Sequence, residues 1–149
     1  MSDYCYSHIW CNERHVAPFR ALGYIIENSK TGSCAIEIED DQANYGHYTE
    51  LIKLGTTGIP FYGYHTKGGE YGASCFCADG RSVFWAEANH SGNLVVAFDE
   101  EICQPSKPDI DNAIAYVECL KIAKKYVNND LDVLAAIGDH IPKDHDKIK

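Results

Sequence analysis

The densest group of chemically reactive side chains lies between residues 64 and 77. Within it, His65, Glu70 and Cys75 supply an imidazole, a carboxylate and a thiol. A thiol can serve as a nucleophile, an imidazole as its base, and a carboxylate can orient the imidazole. One hypothesis is therefore a small enzyme, either a thiol hydrolase or a transferase directed at nucleotides, that uses these three side chains.

A second group, near the N-terminus, has the residue types of a zinc site. The group comprises Cys5, His8, Cys11 and His15. Tetrahedral zinc sites use cysteine and histidine ligands at such short intervals. Residues 3–11, however, alternate in the period-2 pattern of a strand, which turns His8 away from Cys5 and Cys11. We therefore predict no metal site and no cofactor.

A third group favours binding over catalysis, because it combines clustered acids with tyrosines. Tyrosine is favoured at the centres of interfaces, since it buries a large area at a low cost in side-chain entropy. The alternative is that the tyrosines are half-buried strand residues and the acids form a solvated edge. The predicted binding residues are Glu37, Glu39, Asp40, Asp41, Tyr45, Tyr48, Tyr62, Tyr64, His65, Glu70 and Tyr71.

The charge of the chain restricts its partners. The formal net charge is −9, and it comes mainly from acids at 37–50 and 99–118. Clustered negative charge repels phosphate backbones and attracts basic surfaces, so direct nucleic-acid binding is disfavoured. The predicted partner is a protein with a basic surface or, alternatively, a small nucleotide-like ligand. Association of two copies is left open.

Length and composition indicate one domain. A chain of 149 residues with 45% hydrophobic content can bury a substantial core without metal or disulfide support. It has no apolar run of about 18 residues that could span a bilayer, and its start lacks the pattern of a signal peptide. Seven cysteines, an odd number, indicate reduced thiols. These features predict a cytoplasmic protein that does not enter a membrane.

The first half of the chain contains strand patterns and one helix pattern. Residues 3–11 form a strand, and residues 12–18 form a connection that contains a proline. Two apolar runs at 23–27 and 33–39 flank a loop, which predicts a hairpin. A helix near 41–54 follows, with Asp40 or Asp41 as its cap.

The second half predicts a meander and a long helix. Four strands at 59–65, 71–77, 82–88 and 94–99 are separated by turn residues. A helix from 109 to 126 has acids at its start and lysines at its end, which complement the helix dipole. Its predicted packing stripe is Ile110, Ile114, Val117, Leu120 and Val127.

These elements predict an α+β fold. It consists of an antiparallel sheet of five to seven strands, with the long C-terminal helix packed on one face and the shorter helix near 41–54. Residues 1–138 form the single domain, with a second short helix at 131–137. Residues 139–149 are rich in charged side chains and form a flexible tail.

Three segments resemble short accessory proteins of phages and other mobile elements. They are Glu-Asp-Asp-Gln-Ala-Asn-Tyr-Gly at 39–46, Gly-Ile-Pro-Phe-Tyr-Gly-Tyr-His at 58–65 and Gly-Gly-Glu-Tyr-Gly at 68–72. The resemblance covers only residues 37–77 and implies a setting, since such proteins often bind and disable host defence proteins. It implies a small acidic, non-enzymatic inhibitor that blocks a basic, nucleic-acid-binding surface of a host defence protein or sequesters a small ligand.

The alternative enzyme hypothesis also has a resemblance. Tyr64-His65-Thr66 followed by Gly69-Glu70-Tyr71-Gly72 is similar to two segments of ADP-ribosyltransferases. In that family a helix-bearing insertion separates the two segments, whereas here only Lys67 and Gly68 do. The resemblance implies a nicotinamide pocket, and the short connection departs from the family's pattern at that pocket.

Overall fold

The computed structural model describes residues 4–29 and 33–129. Six antiparallel strands form one sheet in the order β2-β3-β1-β4-β5-β6, which confirms the predicted α+β fold. The strands are β1 (Tyr4–Asn12), β2 (Ile25–Ser29), β3 (Ala35–Asn44), β4 (Pro60–His65), β5 (Ser74–Asp79) and β6 (Val83–Glu87). The helices are α1 (Val16–Leu22), α2 (Tyr48–Thr56) and α3 (Lys107–Asn128).

The two short helices cover one face of the sheet. Alternate residues of the strands point to this face, because successive side chains of a strand point to opposite sides. Phe19 of α1 and Leu51 of α2 are fully buried against them. This core consists of Ile9, Cys11, Phe19, Tyr24, Ile36, Ile38, Leu51, Phe61, Phe76 and Ala78.

The long helix α3 covers part of the opposite face, where it packs mainly on β5 and β4 and also contacts β1 and β6. Its N-cap is Ser106, whose hydroxyl accepts a hydrogen bond from the Asp109 backbone N–H. Its far end is tied to β1, because the buried Asn12 side-chain amide donates to the carbonyl oxygens of Tyr126, Val127 and Asn129 at 3.1, 3.3 and 2.9 Å.

The predicted packing stripe of this helix is only partly right. Ile110, Ile114 and Val117 are 41, 56 and 41% exposed, whereas Val127 is buried and Leu120 is partly buried. The helix is rotated about its axis, so that Tyr116, Cys119 and Ala123 pack beside the cysteines of β5. The buried positions are Tyr116, Cys119, Ala123, Tyr126 and Val127.

Residues 12–18, predicted to be a connection, contain a 3₁₀ turn and the start of α1. Pro18 is the third residue of that helix, where its missing N–H costs no intrahelical hydrogen bond. The predicted helix near 41–54 also exists but begins later, at Tyr48. Asp40 and Asp41 belong to β3 and do not cap it.

The predicted strand at 94–99 does not join the main sheet beyond a single bridge between Leu94 and Ala88. Phe98–Asp99 (β7) instead pairs with Gln104–Pro105 (β8) in a separate two-stranded sheet. The predicted helix at 131–137 and the tail at 139–149 lie outside the described residues. Within the described ranges, none of the helices is both long enough and apolar enough to cross a bilayer.

Candidate functional site

An aromatic cleft lies where β4 ends and β5 begins. Its volume is about 610 Å³. It is bounded by the start of α2, the 66–73 loop and the end of β6, so its walls come from parts of the chain that the sheet brings together. The lining residues are Tyr45, Tyr48, Thr49, His65, Tyr71, Gly72, Ala73, Ser74, Trp85, Ala86 and Glu87.

A turn of unusual conformation positions one wall of the cleft. Tyr45, Gly46 and His47 have φ angles of 52, 64 and 57°, so three consecutive residues are left-handed. This conformation costs a residue with a side chain roughly 1–2 kcal/mol. Such strain is retained where the surrounding contacts determine it, frequently at binding sites.

Contacts between aromatic rings hold the cleft open. Tyr45 stacks on Tyr71 at 5.4 Å between ring centroids, and the edge of Tyr48 meets Trp85 at 4.8 Å. Trp85 in turn stacks on the buried Phe76 at 4.3 Å. Tyr45 and Tyr48 are nevertheless half-exposed. The cleft therefore presents π-surfaces to solvent from both of its walls.

His65 lies at the base of the cleft and is only 3% exposed. Its Nδ1 lies 2.7 Å from the Thr66 carbonyl oxygen, which can only accept, so Nδ1 carries the proton. Burial lowers the pKa of His65, an effect that this hydrogen bond partly offsets. The imidazole is therefore neutral near pH 7 and adds no positive charge.

This burial predicts a pH dependence of stability. The unfolded chain takes up a proton at His65 near the ordinary pKa of 6.5, whereas the folded protein does so only at lower pH. We expect the free energy of unfolding to fall as the pH drops below 6.5, by at most about 1.4 kcal/mol per pH unit from this group. Urea unfolding between pH 5 and 8 measures the slope, and His65→Gln should reduce it. An equal slope in the two proteins would contradict the prediction.

The structure does not bring the proposed catalytic residues together. His65 pairs with Ser74 and Tyr64 pairs with Cys75, so His65 and Cys75 lie on opposite faces of the sheet. Cys75 is buried beside Tyr116 of α3, and burial raises the pKa of its thiol, which disfavours the thiolate. Glu70 lies exposed in the loop that follows β4, outside the cleft lining.

The predicted binding residues divide between the two faces. Tyr45, Tyr48, His65 and Tyr71 line the cleft. Glu37, Glu39, Tyr62 and Tyr64 lie on the other face, beside His8 and Trp10 of β1. The physical reason is the strand period of two, which sends neighbouring residues of β4 to opposite sides.

One aspartate of the acidic segment is separated from its glutamates. The carboxylate of Asp40 lies 2.8 Å from Nε2 of His47, on the face that carries the short helices. Asp41 is exposed. The predicted acidic surface therefore loses Asp40, whereas Glu37 and Glu39 are joined by Glu27 from β2.

Sequence reasoning missed three residues that matter at these surfaces. Trp85 and Glu87 complete the cleft from β6, and Glu27 completes the acidic group. The alternation of residues 82–88 places Trp85 and Glu87 on one face, and that signal could have paired them with the tyrosines. The position of Glu27 could not be found this way, because the β2–β3 register shifts between Ile26 and Asn28.

No protein-family model, no curated protein and no solved structure shows significant similarity to the chain.

Proposed function

We propose that this protein is a small acidic, non-enzymatic binding protein whose aromatic cleft receives an arginine side chain of a basic partner. One observation carries the proposal. Four aromatic side chains and the carboxylate of Glu87 line the cleft, and no Lys or Arg is among the described residues that line it. A guanidinium group stacks on aromatic faces and pairs with carboxylates, so it uses both features.

Charge favours this ligand over a nucleotide. A phosphate would meet Glu87 and the −9 net charge without a cation in the cleft wall to offset them. A free base could stack on the same rings, but it would leave the carboxylate unused. An arginine from a basic protein satisfies the rings and the carboxylate together, and the long-range field of the protein attracts such a partner.

Binding is favoured over catalysis because the nucleophile and base do not meet. The thiol of Cys75 faces α3 and the imidazole of His65 faces the cleft. Inhibition of a host defence protein, in a phage or mobile-element setting, is part of this proposal and rests on the resemblance of residues 37–77. A basic nucleic-acid-binding surface rich in arginine is a partner of the required chemistry.

The test uses N-acetyl-arginine methylamide and its neutral isostere, N-acetyl-citrulline methylamide. Changes in Trp85 fluorescence and amide chemical shifts report binding, and we expect only the arginine compound to bind. Glu87→Gln and Tyr48→Ala should each weaken binding about tenfold, the effect of losing roughly 1.4 kcal/mol of charge-assisted or cation–π interaction. Tyr4→Ala removes a tyrosine that is equally exposed, 51%, but lies outside the cleft, and it should leave affinity unchanged.

Three outcomes would contradict the proposal. Equal binding of the arginine and citrulline compounds would show that charge is not recognised. Binding of adenosine with no response to the arginine compound would replace the cation with a planar base as the ligand of the cleft. Turnover of either compound would contradict the non-enzymatic part of the proposal.

A further inference from the structure

Three potential metal ligands meet on the sheet face opposite the cleft. His8, Glu27 and Glu39 each offer one ligand atom, and these three atoms lie within 4.8 Å of one another. They come from β1, β2 and β3, which are neighbours in the sheet. A fourth group, Glu37, brings its Oε1 to 2.7 Å from Nε2 of His8.

His8 is buried and points into this acidic group. The residue is 7% exposed, and its Nε2 is fully buried without a hydrogen-bond partner among the described residues. The approach of Glu37 Oε1 is close, but it lacks the alignment of a hydrogen bond. A buried polar nitrogen without a hydrogen bond costs about 1–3 kcal/mol, so its position needs a cause.

The neighbouring Tyr6 fixes the role of one imidazole nitrogen. The Tyr6 hydroxyl donates to Glu39 Oε2 at 2.5 Å and lies 2.8 Å from Nδ1 of His8. A hydroxyl has one proton, so with that proton on Glu39 the second contact requires Nδ1–H to donate to the Tyr6 oxygen. Nε2 is then the nitrogen that faces the carboxylates, and either a proton or a metal ion can occupy the position between Nε2 and Glu37 Oε1.

The carboxylates lie close to one another. One oxygen of Glu27 and one of Glu39 are within 4.8 Å, and Glu37 Oε1 approaches the same histidine nitrogen. Like charges at this separation repel each other, and a divalent cation between them would offset the repulsion.

We propose that His8, Glu27 and Glu39 bind a divalent first-row transition metal ion, with Glu37 as an additional donor. One imidazole nitrogen with several carboxylate oxygens is a donor set that suits Mn²⁺, Fe²⁺ and Zn²⁺. Tyr6 would orient two of the ligands without contacting the ion, as the hydrogen-bond partners of metal-binding histidines commonly do. Its hydroxyl accepts from Nδ1–H of His8 and donates to Glu39. The proposal departs from the metal-free prediction made from the sequence, and it involves none of the cysteines suggested by spacing.

The bound ion would join the first three strands through their side chains. β2 is the edge strand, and it pairs with β3 alone. Metal binding should therefore raise the thermal stability of the protein, because an ion that binds only the folded state shifts the unfolding equilibrium.

The test is a titration with MnCl₂ in the presence of a reductant. Mn²⁺ prefers oxygen and nitrogen donors, so the free thiols compete little. Trp10 reports binding, because its ring centroid is 4.3 Å from that of His8 and a paramagnetic ion there quenches its fluorescence. We expect saturable quenching at one equivalent and an increase in melting temperature, and Trp10→Phe should remove the quenching but keep the thermal shift.

The variants separate this site from general attraction to an acidic protein. Glu27→Gln changes an exposed side chain on the edge strand, so the fold should tolerate it. We expect Glu27→Gln and Glu39→Gln each to weaken Mn²⁺ binding on the order of tenfold or more. Glu50→Gln removes the same charge from an exposed position of α2, on the opposite face, and should change affinity less than about twofold. Equal effects of all three variants, or quenching that does not saturate, would overturn the proposal.

Discussion

Gly63→Ala is expected to destabilise the protein by about 3 kcal/mol, the upper part of the usual range for overpacking. Gly63 lies in β4, where it pairs with Ile9 of β1 on one side and Phe76 of β5 on the other. A Cβ at this position would lie 2.0 Å from the carbonyl oxygen of His8 and 3.0 Å from the Cα of Ile9. These are backbone atoms of a central strand, so relief of the clash requires β1 and β4 to separate.

Guanidinium unfolding of the two proteins measures this effect as a shift of the midpoint. Gly72→Ala is the matched control, because a Cβ there would meet no heavy atom of the described residues within 4 Å. We expect the control to unfold at the same denaturant concentration as the wild type. Gly63→Ala should unfold at a much lower concentration, or it should already be unfolded when it is purified. Equal midpoints for the two variants would show that β1 and β4 do not approach as closely as the structure indicates.

Gly46→Ala is expected to disrupt the cleft and to destabilise the protein by about 1–2 kcal/mol from the left-handed backbone alone. Gly46 has a φ of 64°, and a Cβ there would lie 2.6 Å from Cδ2 of His65. His65 is buried between Tyr71 and Trp85, so it has little freedom to move away. The turn itself must shift, and Tyr45 then leaves its stacked position on Tyr71.

Thermal melting measures the stability of this variant, and near-ultraviolet circular dichroism measures the order of the aromatic rings. The arginine titration described above should lose its saturable response. Gly72→Ala again serves as the control, because Gly72 lines the same cleft without a close neighbour. A variant with the wild-type dichroism spectrum would contradict the role assigned to the turn.

The strands were largely predictable because each has a regular alternation and a clear turn on either side. The meander of β4, β5 and β6 follows from short β-rich runs separated by turns that contain glycine. The existence of α3 was predictable from Pro108 and from the charges at the two ends of the helix. The rotation of the helix about its own axis, which decides the residues that face the sheet, was not predictable. Cys119 and Ala123 carry little hydrophobic signal, yet they face the sheet, because small side chains let the helix approach closely.

The two surfaces were less predictable than the strands that hold them. The sequence marks the tyrosines and acids, but their division between faces depends on the register of β4 and on the bulge between Ile26 and Asn28. The late start of α2 depends on three left-handed residues, two of which are not glycine. Local preference opposes this conformation at Tyr45 and His47, so only contacts made elsewhere in the fold explain it.

The contact between Asn12 and the end of α3 has a consequence for how fast the chain folds. The amide of Asn12 reaches carbonyl oxygens that are 114 to 117 residues further along the chain. The strand that Asn12 ends occupies the middle of the sheet, and its second neighbour, β4, begins only at Pro60. During synthesis β1 is therefore made before the other described strands, and its pairing is complete only after β4 has been made. Folding rates fall as the sequence separation of contacts grows, so we expect a slow, late and concerted transition, in the range of milliseconds to seconds.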